Sequence, residues 1–236
     1  MKYLIADVVT EFTPKSDRLK NFSKPFEYTG ERSAELVFDN LDKITQSFLP
    51  KMKKGISYGE TESFALSNLF NRAAVKFNTM LVHSSALICD GKAYLFSADS
   101  GVGKSTHTKL WCDAFGDKVH IMNDDKPVVR IYDDKVIAYG TPFDGGSGIA
   151  LNEAYPLGAI IFIERGEKNS IRVPNNIEIL QQLYFSTAHM LSRENAEFML
   201  NNFDMLIPKA KFYILTCNMG ISAAHFAYNS IIEDKM

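Results

Sequence analysis

Charge of one sign is the first thing this chain lacks. Over 236 residues, 26 basic side chains stand against 28 acidic ones, for a formal net charge of −2. The basic residues are scattered, which argues against the broad positive footprint of a nucleic-acid binder or of a protein held on an anionic membrane. Cysteine is equally scarce. Cys89, Cys112 and Cys217 are too few and too far apart for a disulfide framework, and no Cys or His cluster has the spacing of zinc ligands. No apolar run approaches the roughly 18 residues of a membrane-spanning helix, and an acid already stands at Asp7, too early for the apolar stretch of a signal peptide. Low-complexity tracts and internal repeats are missing as well. These absences predict a cytoplasmic globular protein with one substantial core and neither nucleic acid nor membrane as a partner. Any phosphate recognition has to be local.

What is present begins with short strands. Segments 3–12, 26–28 and 35–38 read as strands joined by turns, so residues 1–57 are expected to form a β-rich N-terminal extension ahead of a core over 58–236. Between 61 and 77, Leu66, Leu69, Phe70, Ala73, Ala74 and Phe77 recur at spacings of three and four, which puts them on one face of a helix. Extended segments at 80–89 and 92–97 flank Asp90-Gly91, a dipeptide suited to a tight hairpin turn. A helix over 105–115 closed by Gly116 follows, then a strand over 119–122 leading into Asn123-Asp124-Asp125. A hairpin of 128–132 with 136–139, strands at 159–163 and 212–215, and helices at 177–185, 194–203 and 222–232 complete the pattern. Strands dominate around the centre, so the predicted fold class is α/β with a mixed β-sheet core flanked by helices.

The second strand of the 80–97 hairpin runs straight into Ala98-Asp99-Ser100-Gly101-Val102-Gly103-Lys104-Ser105, the pattern of a P-loop (Walker A). Such a loop needs a backbone that can turn its N–H groups inward, a helix N-terminus aimed at the anion, a lysine for the outer phosphates and a hydroxyl for a metal. Gly101, Gly103, Lys104 and Ser105 provide these, with Ser100, Val102 and Thr106 contributing backbone around them. The motif's usual first glycine is Ala98 here. One helix and one strand later, Asp124 and Asp125 stand where a carboxylate completes a magnesium site. An adjacent pair allows one acid to order the metal while the other accepts a proton from an attacking hydroxyl, and the spacing leaves open which is which.

With these residues in view, the chain resembles the HPr kinase/phosphorylase and phosphoenolpyruvate carboxykinase superfamily, in particular its small HPr-kinase-like members. The resemblance is carried by Leu81-Val82-His83-Ser84-Ser85-Ala86, the glycine-turn hairpin, the loop from Ser97 to Thr106, and Asn123-Asp124-Asp125. It covers roughly residues 60–165 and implies a carboxykinase-like core. It also places His83 beside the transferred phosphoryl group or a second metal, and leans towards Asp125 as the metal ligand. Thr141-Pro142-Phe143-Asp144-Gly145-Gly146-Ser147-Gly148 resembles the Pro-aromatic-x-Gly loop of small family members. That segment holds no arginine, which leaves Arg165 as the candidate for stabilising the transferring group. His107 is a weaker candidate, and His120, His189 and His225 read as structural or exposed.

The expectation is an ATP- and magnesium-dependent phosphotransferase that moves the γ-phosphate to a serine-type hydroxyl of a peptide, protein or small metabolite. Asp124, Asp125, His83 and Lys104 would carry the chemistry, and Ser105 with the acids would hold the metal. A nucleotide-binding switch or accessory subunit with little turnover is the alternative. The sequence leaves the acceptor and any homo-oligomer undetermined.

Overall fold

The computed structural model describes residues 1–187 and 193–233. Its first part is a small sheet of β1 (Lys2–Ile5), β2 (Val8–Phe12) and β3 (Leu36–Phe38), with α1 (Asp17–Ser23) between β2 and β3. Then come α2 (Leu41–Phe48) and α3 (Tyr58–Ala74). The two short helices depart from the strand-and-turn pattern expected of this region. Each is only two turns long, too short for periodicity to stand out, and each depends on local devices. Ser16 caps α1 by accepting from the Leu19 amide. On α2, Leu41, Ile44, Thr45 and Phe48 recur at helical spacing and pack inward.

The long helix α3 opens with a capping box in which Ser57 and Glu60 satisfy each other's amides. Its apolar face seals the first core: Leu66, Phe70 and Ala74 are buried together with Tyr3, Ile5, Phe12, Leu19 and Phe38 of the N-terminal segment.

The main sheet contains β4 (Thr79–Leu81), β5 (Ser84–Cys89), β6 (Lys92–Ser97), β7 (Val119–Asp125), β8 (Val128–Ile131), β9 (Val136–Tyr139), β10 (Ala154–Arg165), β11 (Ser170–Arg172) and β12 (Phe212–Cys217). It is mixed, and its faces are covered by α4 (Lys104–Phe115), α5 (Asn176–Thr187), α6 (Arg193–Leu206) and α7 (Ile221–Ile231). Extended residues 80–89 do not form one strand. β4 pairs with β8, and after Val82 and His83 the chain enters β5, which pairs with β6 and β7. The twelve residues of β10 join the two regions, antiparallel to β9 at the start and parallel to β6 and β12 thereafter. Asp90 (φ 48°) and Gly91 (φ 70°) make the β5–β6 turn with two left-handed residues, the geometry that matches strand twist.

Register decides where chemistry can happen. β6 and β7 both run antiparallel to β5 and hence parallel to each other, so their C-terminal ends share one edge of the sheet. Ser84 stands opposite both Ser97 and Asp125, and Phe162 stands opposite Ser97. The start of β5 and the ends of β6, β7 and β10 therefore meet. Among the described residues, no helix is long and apolar enough to cross a membrane.

Candidate functional site

From that edge, the glycine-rich loop leaves β6 and enters α4. Gly101 (φ 81°) and Gly103 (φ 124°) hold left-handed conformations that a side chain would resist, and Gly103 is the residue on which α4 begins. Arg165, at the end of β10, fixes the loop from outside: its Nε donates to the Val102 carbonyl (2.8 Å) and its Nη2 to the Gly101 carbonyl (2.6 Å). The guanidinium thus contacts the loop backbone, a support that its place in the sequence did not signal.

Lys104 is buried, and its Nζ donates to the carbonyl oxygens of Ala98 (2.8 Å) and Asp99 (3.4 Å). Burial lowers its pKa from the ordinary lysine value, while the charges of Asp125, Asp124 and Asp99 pull the other way. The ammonium therefore lies in the field of the acid pair.

Asn123 sets the acids. Its amide nitrogen donates to Thr141, while its Oδ1 accepts from the backbone amides of Asp125 (3.2 Å) and Lys126 (2.8 Å), fixing the turn at the end of β7. The two carboxylates then meet different surroundings. Asp125 lies between an imidazole and an ammonium, with Oδ1 3.5 Å from His83 Nε2 and Oδ2 3.2 Å from Lys126 Nζ. Asp124 Oδ1 is buried with no hydrogen-bond partner among the described residues. An oxygen desolvated without a donor is costly unless a cation or a proton donor completes it.

His83, Ser100, Gly101, Gly103, Lys104, Ser105, Thr106, Asp124 and Asp125 all line a single cavity of about 450 Å³, together with Gly145, Ser147 and Arg165. A neighbouring cavity of about 650 Å³ shares His83, Ser100 and Arg165 with it and continues past Ala98, Asp99 and Val102 to Gln182 and Phe185 of α5. Sequence reasoning named most of the first set. The helix expected over 177–185 is present as α5, and its contribution to the second cavity is a product of packing alone.

The oxygens of Ser105, Asp124 and Asp125 are the hard donors that magnesium takes, and the unpartnered Asp124 Oδ1 fits such an ion. Among the described residues no group of three or more His, Cys, Asp or Glu side chains could hold a metal by itself. Phosphate and water oxygens would have to fill the remaining positions, as is usual where magnesium is bound with a nucleotide.

The other histidines lie elsewhere. His107 is fully buried in the core under α4, where Trp111 Nε1 donates to its Nε2 (3.1 Å) and Cys217 Sγ lies 3.8 Å from its Nδ1. Burial holds its pKa down at about 4, so the ring is neutral and takes no part in the cavity. His120 pairs with Glu153 (2.8 Å) on the surface, and His225 packs edge-on against Phe115. His189 lies outside the described residues.

No family model matches the chain, and no curated protein matches it. Among solved structures it is similar to the Hpr(Ser) kinase/phosphatase from Coxiella burnetii, at 13% identity and a TM-score of 0.30, over 51% of this chain and 98% of that one. A likeness that distant carries neither fold nor activity to this chain, and the chemistry has to stand on the chain's own residues.

Proposed function

We propose that this protein is a P-loop phosphotransferase of the HPr-kinase-like kind, which binds ATP with magnesium and transfers the γ-phosphate to a serine-type hydroxyl. The observation that carries the reading is the gathering of the glycine-rich loop, Lys104, Ser105, the acid pair and His83 around one cavity, with Asp124 Oδ1 buried and without a partner among the described residues. The loop N–H groups from Gly101 onward and the N-terminus of α4 would cradle the β-phosphate. Lys104 would turn from the Ala98 and Asp99 carbonyls to the outer phosphates and balance the charge that develops there. Ser105 and Asp125 would hold magnesium, which would neutralise charge on the outer phosphates.

In the transfer itself, the acceptor oxygen bonds to the γ-phosphorus as the bond from that phosphorus to the β,γ-bridging oxygen breaks, and ADP departs. The acceptor's proton would pass to Asp124, the acid of the pair that this reading leaves free of the metal. His83, 3.5 Å from Asp125, would orient that carboxylate and the transferred group.

The larger cavity favours a transferase over a nucleotide switch. Lys104 Nζ contacts the Ala98 and Asp99 carbonyls, and both residues line that second cavity. An acceptor would have room of about 650 Å³ beside the loop. A screen with γ-labelled ATP over serine-bearing peptides, free hydroxy amino acids and small alcohols tests this. Label transferred to an acceptor, with ADP release rising steeply in its presence, is the expected result. Tight ATP binding with turnover indifferent to every acceptor would favour the switch.

A further inference from the structure

Asp144 sits in the loop between β9 and β10 with its carboxylate almost wholly out of water, 1% exposed. Both oxygens are engaged. Oδ1 accepts from Ser147 Oγ (3.1 Å) and from the Gly148 amide (3.1 Å), closing the turn that carries Gly145 and Gly146. Oδ2 is paired with the guanidinium of Arg18, which also donates to the Asp144 carbonyl (3.3 Å). On one side the buried ring of Phe143 packs 5.6 Å from that of Phe70 on α3. On the other, Gly145 lies against Asp125 so closely that a Cβ there would sit 2.8 Å from both Cβ and Cγ of Asp125. The loop is thus pressed directly onto one of the two acids.

The far end of this contact chain is also held. Arg18 lies on α1 with its guanidinium over the Phe22 ring at 5.1 Å. The start of α1 is tied to α3 because the Lys15 amide (2.7 Å), the Ser16 amide (2.9 Å) and the Ser16 hydroxyl (2.5 Å) all donate to the fully buried carboxylate of Glu62. A buried carboxylate has to be paired, and Asp144 takes its partner from 126 positions away in the chain.

We propose that Arg18 is a positioning residue of the site. By holding Asp144 it sets the 144–148 loop against Asp125, and so fixes the Asp125 carboxylate relative to Asp124 and Lys104. The N-terminal segment is then a working part of the site. This rests on the phosphotransferase reading only for what Asp125 does; the contacts stand without it. Removing Arg18 leaves the Asp144 carboxylate out of water without its cation, held only through Oδ1, so the loop lifts and Asp125 loses the surface that confines it.

The test uses the full chain as wild type, Arg18→Met, Arg18→Lys and the double variant Arg18→Met/Asp144→Asn. Affinity is measured for manganese–ATP by the paramagnetic signal of the ion, and for ATP alone in chelator. Arg18→Met is expected to weaken manganese–ATP binding about ten- to a hundredfold, the range for a residue that orients a metal ligand, with metal-free ATP binding unchanged. Arg18→Lys, which keeps the charge, and the double variant, which removes the bare carboxylate, are each expected to recover part of the loss. A folded Arg18→Met protein with wild-type manganese–ATP affinity overturns the proposal, as does a loss equal with and without metal. Should Arg18→Met not fold, the lysine and double variants decide by the same comparison. Should the wild type bind no manganese–ATP, the phosphotransferase reading fails, and proteolysis decides the brace. Cleavage within 145–148 must then be about tenfold faster in the most perturbed variant that folds, and equal rates overturn it.

Discussion

Protonation of His107 is expected to loosen the seat of the glycine-rich loop in acid, by an amount that follows from its surroundings. The ring lies one turn into α4 from Lys104, fully buried, with Nε2 accepting from Trp111 and Phe96 packed at 5.0 Å. Its folded pKa is about 4, below the ordinary 6.5 of an unfolded histidine. The folded state thus resists a proton that the unfolded chain accepts. Stability from this residue is complete above pH 6.5 and is lost as pH falls from there towards 4. The difference of about 2.5 units corresponds to roughly 3 kcal/mol at the acid limit, at about 1.4 kcal/mol per unit. His107→Gln keeps an acceptor for Trp111 but cannot titrate. Urea unfolding of both proteins between pH 7.5 and 4.5 cancels the carboxylates they share, and the wild type should lose about 2 to 3 kcal/mol more than the variant over that range. Trp111 is the chain's only tryptophan, so its emission reports this neighbourhood directly. Parallel pH curves for the two proteins, or a fluorescence midpoint near 6.5, would refute the reasoning.

The acids are expected to separate in kinetic assays. Asp125→Asn should weaken metal dependence and be partly rescued by raised magnesium or by manganese, whereas Asp124→Asn should bind MgATP and lose transfer. Identical kinetics and metal response in both variants would contradict the division. His83→Gln should lower transfer by roughly ten- to a thousandfold with ATP affinity little changed, as fits a group beside the reacting phosphoryl. Unchanged turnover would reduce His83 to packing at the start of β5.

Much of this was legible in the sequence where the signal is local. The six apolar positions from Leu66 to Phe77 fall in α3 and the short turn after it, and Asp90-Gly91 makes the turn its composition demands. The succession of strand, glycine-rich loop, helix, strand and acids is present in β6, α4 and β7. Other features depend on residues distant in the chain. The break at Val82 and His83 arises because β4 and β5 pair with different strands, which no run of apolar residues can announce. Helix α1 had only a capping serine and a proline-containing loop to mark it, and its tie to Glu62 exists only in the folded chain. Arg165 was singled out for a phosphoryl group, yet its hydrogen bonds run to the Gly101 and Val102 carbonyls, contacts set by the parallel register of β10 with β6. Arg18 carried no signal at all, because its partner Asp144 is meaningful only once the loop is laid against Asp125.

The most direct test of the proposed phosphate site is calorimetric titration of MgATP into the wild-type protein and into Lys104→Ala. Lys104 is the cation that the loop itself supplies, and single electrostatic contacts of this type are worth several kcal/mol. One saturable site in the wild type is expected, with nucleotide turnover at least about a hundredfold lower in the variant and its affinity reduced. Absence of binding in the wild type, or equal affinity and equal turnover in the two proteins, would contradict the account.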